Sequence, residues 1–218
     1  MHTNFALVSS ILRDSTIAML EGLRTGLQHD TLGVLPNKND INPFYPLFEI
    51  FFYLLFQLDF LVVAYQEDRI RKPLFNYVAD DILDVLDITD QNARRSIDNV
   101  INKRMTQYGG IQADGNLTDD SRRQKLIKSF AENLAYSVSK QTFFDWDAKS
   151  IITLPFTDAN QVLVMHIIYG EVLLPVELRF RITIRNLLAA NSDVTQLSID
   201  DIDRIQEASL EEIDETGL

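Results

Sequence analysis

Residues 44–65 read FYPLFEIFFYLLFQLDFLVVAY, where only Glu49, Gln57 and Asp59 are polar side chains without a ring. A run this long, apolar on nearly every side, predicts a buried helix. Upstream, Phe5, Val8, Leu12, Met19, Leu23 and Leu27 recur at spacings of three, four and seven, which predicts a helix with one apolar face over 4–28. Residues 29–43 carry turn chemistry and separate the two. Pro73 suits the first turn of a third helix, because its missing N–H is not needed there, and that helix runs to about Asp87. Thr89 is placed to cap a fourth helix, with Ala93, Ile97, Val100, Ile101, Met105 and Tyr108 on one face and Gly109-Gly110 as its left-handed end. Thr118 or Asp119 caps a fifth, which carries Leu126, Ile127, Phe130, Leu134 and Val138 and runs to about Gln141.

The period then changes. Val176, Leu178, Phe180, Ile182 and Ile184 alternate with Glu177, Arg179, Arg181 and Thr183, a two-residue period that predicts a strand over 176–184. Residues 150–156 and 161–168 are rich in Ile and Val, with TDAN between them and Tyr169-Gly170-Glu171 after them as turns. Together they predict a three-stranded antiparallel meander, with a helix as the open alternative for 158–171. Helical spacing returns over 198–215, where Ser198 and Asp201 form a capping-box-like start ahead of Ile199, Ile202, Ile205 and Ile213. The expectation is therefore an α+β protein. A helical domain over 1–145 surrounds the aromatic helix, a small sheet over 146–192 packs on it, and an acidic helix or tail covers 193–218.

Nine of the chain's 21 aromatic residues fall in 44–65. They hide on the order of 1,500 Å² when buried, too much for a surface helix to leave in water. The length also matches the roughly 20 residues that cross a bilayer. The charges argue otherwise: a carboxylate such as Asp59 inside a spanning helix costs about 2.5–3.5 kcal/mol, and the longest run without a polar residue, 50–56, is only seven residues. The expected place is a core or a contact with another chain.

Composition narrows the chemistry. There is no cysteine, which removes disulfides and thiolate chemistry. The first residues lack the basic region of a secretion signal, so the expected compartment is the cytoplasm or a large soluble assembly. The net charge of −12 is uneven: residues 193–218 hold nine acids and one base, Arg204. Such a chain repels phosphates, so no nucleic-acid partner is expected.

One short motif points to an enzyme. Asp80-Asp81-Ile82-Leu83-Asp84 resembles the DDxxD of prenyl-diphosphate and terpene synthases, and the preceding Phe75-Asn76-Tyr77-Val78-Ala79 is similar to the approach to the second such motif there. The resemblance covers about ten residues and implies Mg²⁺ held by Asp80, Asp81 and Asp84 against a diphosphate, with an isoprenoid-like apolar ligand. The second aspartate-rich motif departs from the pattern, since Asp119-Asp120 is followed by SRR. Helical phase gives these residues another use. Asp80, Asp84 and Asp87 share one face, opposite Phe75, Val78, Ile82, Val85 and Leu86, as on an amphipathic helix with a solvated side. That reading is preferred, and with it no cofactor or metal is expected.

Glu49 and Asp59 are more unusual, because their neighbours are apolar and a buried carboxylate needs a partner. Ten residues apart, they lie about 1000° apart around a helix and do not share a face. Glu49 is expected to face the positive end of its helix, and Asp59 to pair with an arginine from another helix. His166, among Val164, Met165 and Ile167, is expected in the core. No Walker loop, Gly-rich dinucleotide turn or Gly-x-Ser-x-Gly occurs.

Arg179, Arg181 and Arg185 would project from one strand face, while Asp200, Asp201, Asp203, Glu207 and Glu211 belong to the acidic tail. These are the interaction candidates, within one chain or between chains. The preferred function is non-catalytic: a structural subunit of an oligomer or larger assembly, such as a virion or secretion-type machine, or an adaptor, with a protein partner or self-association. The alternatives are the Mg²⁺-dependent isoprenoid-diphosphate reading and membrane association through 44–65.

Overall fold

A computed structural model of the chain describes residues 3–28, 33–36, 38–143 and 159–216. Helix accounts for 85% of the described residues, and no strand occurs among them. The helices are α1 (Thr3–Gln28), α2 (Phe44–Tyr65), α3 (Asp68–Val85), α4 (Gln91–Gln112), α5 (Asp119–Lys140), α6 (Ala159–Ile168), α7 (Leu174–Ala189) and α8 (Ile199–Thr216). A π-helical turn, Tyr169–Leu173, joins α6 to α7, and short 3₁₀ turns occupy Lys38–Asp40 and Val194–Gln196.

The expected α+β class and its meander are thus overturned. Residues 161–168 and 176–184 are helical, and the first expected strand, 150–156, lies outside the described residues. The alternation over 176–184 conceals a helical stripe. Leu173, Glu177, Phe180, Ile184 and Leu187 are buried at spacings of four, three, four and three. Glu177, an acid at a core position, made the segment look two-sided. The expected turn at 169–171 is the π turn, in which the Leu174 N–H bonds the Tyr169 carbonyl five residues back. Pro175 follows directly. It has no N–H and its ring crowds the carbonyl four residues earlier, so a widened turn gives it room.

Helix ends differ in instructive ways. Helix α3 starts at Asp68, so Pro73 lies in its second turn. Helix α4 is capped by Asp90, whose Oδ2 accepts the Ala93 N–H at 2.7 Å, one residue after Thr89. It runs through Gly109-Gly110 to Gln112. The left-handed stops are Asp87 (φ 53°) after α3 and Gln141 (φ 52°) after α5. Thr118 caps α5 by accepting the Ser121 N–H, and Ser198 and Asp201 form the capping box of α8.

The chain divides into two compact units, one of Met1–Thr16, Leu54–Arg95 and Pro175–Leu218, the other of Ile17–Tyr53 and Ser96–Leu174. In the second unit, Tyr53 stacks on Phe130 with ring centres 4.2 Å apart and meets Tyr108 edge-on. Phe44, Phe48 and Phe52 surround Phe143. Gly22 and Gly26 of α1 leave space that Val172 and Ile168 occupy: a Cβ at Gly26 would lie 2.7 Å from the Ile168 Cγ2. The first unit is tied by polar side chains to backbone. The Asn4 amide donates to the Val194 and Leu197 carbonyls. Gln66 donates to the Leu188 and Asn191 carbonyls and accepts the Val194 N–H.

Candidate functional site

The most polar interior site is built on the aromatic helix. Helix α2 exposes almost nothing between Phe48 and Leu58, so Glu49 is fully buried. On α4 the buried stripe is Ile97, Ile101, Arg104 and Tyr108, at spacings of four, three and four. Arg104 therefore points inward and is fully buried against Glu49. Its Nε donates to Glu49 Oε2 at 2.7 Å, and its Nη2 donates to Oε1. The expected role of Glu49 at a helix end gives way to this bidentate pair. Burial works against the Arg104 charge, but the Glu49 charge and hydrogen bonds outweigh it, leaving the guanidinium above its usual pKa.

The polar cluster continues into α5. Asn133 Nδ2 donates to the Tyr108 hydroxyl at 3.1 Å and to Gln107 Oε1 at 3.0 Å, and Gln107 in turn donates to Ser129 Oγ. Burial, with Glu49 nearby, pushes the Tyr108 phenol well above its ordinary range. Glu49, Arg104, Tyr108 and Asn133 are all buried, and Gln107 at the edge of the cluster is half-buried. Its contacts make a polar lock between α2, α4 and α5. The apolar stripe of α4 does not by itself single out Arg104, because the arginine takes the place of an apolar residue in it. The signal was present: an arginine on the 97–101–104–108 stripe, and a buried acid that required a cation.

The remaining candidates are dispersed. Asp59 pairs with an arginine of another helix, accepting from Arg71 Nε and Nη2 at 2.8 and 2.7 Å. Asp81 accepts from Ser9 Oγ and Arg13 Nη1 at 2.7 and 3.0 Å, Asp84 meets Arg94, and Asp80 faces solvent. The three carboxylates of the DDxxD thus turn to different partners, and no group of three His, Asp or Glu placed to hold a metal occurs among the described residues. His166 is exposed on α6, contrary to its expected core position.

On α7, Arg179, Arg181 and Arg185 do not share a face, because helical phase separates 179 from 181 by about 200°. Arg181 approaches Glu177 at 3.9 Å, and Arg185 donates to both Glu212 oxygens at 2.6 Å. Asn186 adds bonds to Ser209 and Glu212. These contacts seat one side of α8, where Ser209 and Ile213 are buried. Asp201 holds Arg204, while Asp200, Asp203, Glu207 and Glu211 are exposed.

The outer surfaces carry unusual apolar residues. Leu163 and Ile167 of α6 are 55% and 48% exposed, one turn apart. By length and composition alone two helical stretches could cross a membrane: Phe44–Tyr65, 72% buried, and Ala159–Ala189, only 33% buried. No protein-family model matches the chain, and comparisons with curated proteins and with solved structures find no match.

Proposed function

We propose that this is a non-catalytic protein acting through protein–protein contacts, as a subunit of an oligomer or as an adaptor in a larger assembly. The exposed apolar side of α6 carries the reading. Past Asn160 and Gln161 the helix is apolar except for the exposed His166, and Val164, Met165 and Ile168 point inward while Leu163 and Ile167 face out. Residues 159–170 contain no acid, on a chain of net charge −12. Two copies repel one another over most of their surfaces, and this strip is where they can meet without opposing carboxylates. The occupant is therefore a second copy, with α6 packed on α6 about a twofold axis. Gly170 continues the strip, and the space where its Cβ would stand is open.

Light scattering after size exclusion, across a concentration series, tests this. Wild type should run as a dimer or larger, and Leu163→Asp or Ile167→Asp as a folded monomer. A wild-type monomer at every concentration, or variants with unchanged mass, would overturn the reading. So would salt-resistant flotation of wild type with liposomes that either variant abolishes, which would make the strip a lipid-facing one.

A further inference from the structure

The two most exposed large apolar side chains among the described residues, Ile199 at 76% and Leu210 at 62%, both belong to α8. Eleven residues apart, they differ by about 20° in helical phase and by three turns, ~16 Å, along the axis. They therefore line one face. Asp203, Glu207 and Asp214 lie along or beside the same face, all exposed. The adjoining side of the helix is already used: Arg185 grips Glu212, Asn186 bonds Ser209, and Ile213, one turn on from Leu210, is buried. The outward acids Asp203, Glu207, Glu211 and Asp214 thus run along one side of the apolar pair, while Arg204, the one base in 193–218, is paired with Asp201.

We propose that this outer face of α8 receives a basic amphipathic helix from a different protein. Its apolar side would cover Ile199 and Leu210, and its lysines or arginines would meet the flanking carboxylates. Charge selects this occupant. A second copy brings another acidic tail, and an anionic membrane or a nucleic acid is repelled by the same carboxylates. The inference goes beyond the α6 contact, and its variants leave α6 untouched, so either can fail alone.

The probe is a synthetic helical peptide with leucines on one face and lysines beside them, titrated into the full-length protein by fluorescence anisotropy. Controls replace every lysine by glutamate, or every leucine by serine, and a third is polylysine. Binding should occur only with the first peptide and weaken with added salt. It should fall about tenfold in Leu210→Ser and in the double variant Glu207→Lys/Glu211→Lys. Circular dichroism confirms that the helices remain. No binding of the first peptide, equal binding by the leucine-free peptide or polylysine, or unchanged binding by the variants would overturn the proposal.

Discussion

At the scale of single residues, the decisive pair is Glu49 with Arg104. Two buried charges stabilise a fold only while both are present, because either alone is left without compensation in a medium that solvates it poorly. Glu49→Met and Arg104→Met should therefore each lower stability by about 3–5 kcal/mol, and the double change by much less than either single change. Denaturant titration of the four proteins checks this, and additive losses would refute it. Tyr108, beside the pair, has a folded-state pKa raised by burial above the unfolded value of about 10. The neutral phenol is favoured in the fold, so its contribution is complete below that pH and is lost as pH rises beyond it. Stability should fall between pH 10 and 11, and Tyr108→Phe should flatten that decline. Half of this site was visible in the sequence. Glu49 announced itself by its apolar neighbours, while Arg104 lay among Asn102, Lys103 and Thr106, a polar setting that made it look solvated.

At the scale of elements, the N-terminal helices were readable because their apolar stripes are clean, and α6–α7 was not because Glu177 breaks the stripe. A two-residue alternation and a helical stripe share several positions over nine residues, and one acid in the core tips the reading. Glycines misled in the same way. Gly109-Gly110 looked like a stop but are ordinary helical positions in α4, whereas Gly22 and Gly26, inside α1, are where closeness matters. The two kinds separate by experiment. Gly26→Ala sets a methyl against Ile168 and should cost about 1–3 kcal/mol. Gly110→Ala meets open space in a regular helix and should stabilise by up to about 1 kcal/mol. Equal effects on the thermal midpoint would contradict this account. The seat of α8 also responds to acid. Hydrogen bonds from Arg185 and Asn186 hold Glu212 below the usual carboxylate range. Its contribution is present above the unfolded value of about 4.3 and is lost as pH falls through the folded one. Protease cleavage within α8 should accelerate in that acidic window, and Glu212→Gln should show the faster cleavage already at neutral pH.

At the scale of the whole molecule, sequence order and compactness part ways. Helices α1, α2 and α4 each contribute to both units, so neither unit is one continuous stretch. A boundary drawn where hydrophobic periodicity changes cannot describe such a chain, because it assumes that neighbours in sequence share a core. The consequence is specific for the first unit, whose N-terminal residues bond to the far end of the chain. Asn4 donates to carbonyls 190 and 193 residues away, and Gln66 and Arg69 reach Val194 and Asp193. Removing 193–218 strips both acceptors from Asn4 and one partner each from Gln66 and Arg69, while leaving α1, α2 and α3 intact in sequence. A buried amide without its acceptors costs about 1–3 kcal/mol, and Val194 and Ile213 leave the core with them. Truncation should therefore speed amide hydrogen exchange in the first turns of α1 and at the α2–α3 junction, far in sequence from the cut. The polar lock of Glu49, Arg104 and Tyr108 contains none of the removed contacts, so exchange around Tyr53 and Tyr108 should change less. Uniform acceleration across α1 to α5 would mean instead that the tail stabilises the chain as a whole, and unchanged exchange near Asn4 would show that these bonds contribute nothing to it.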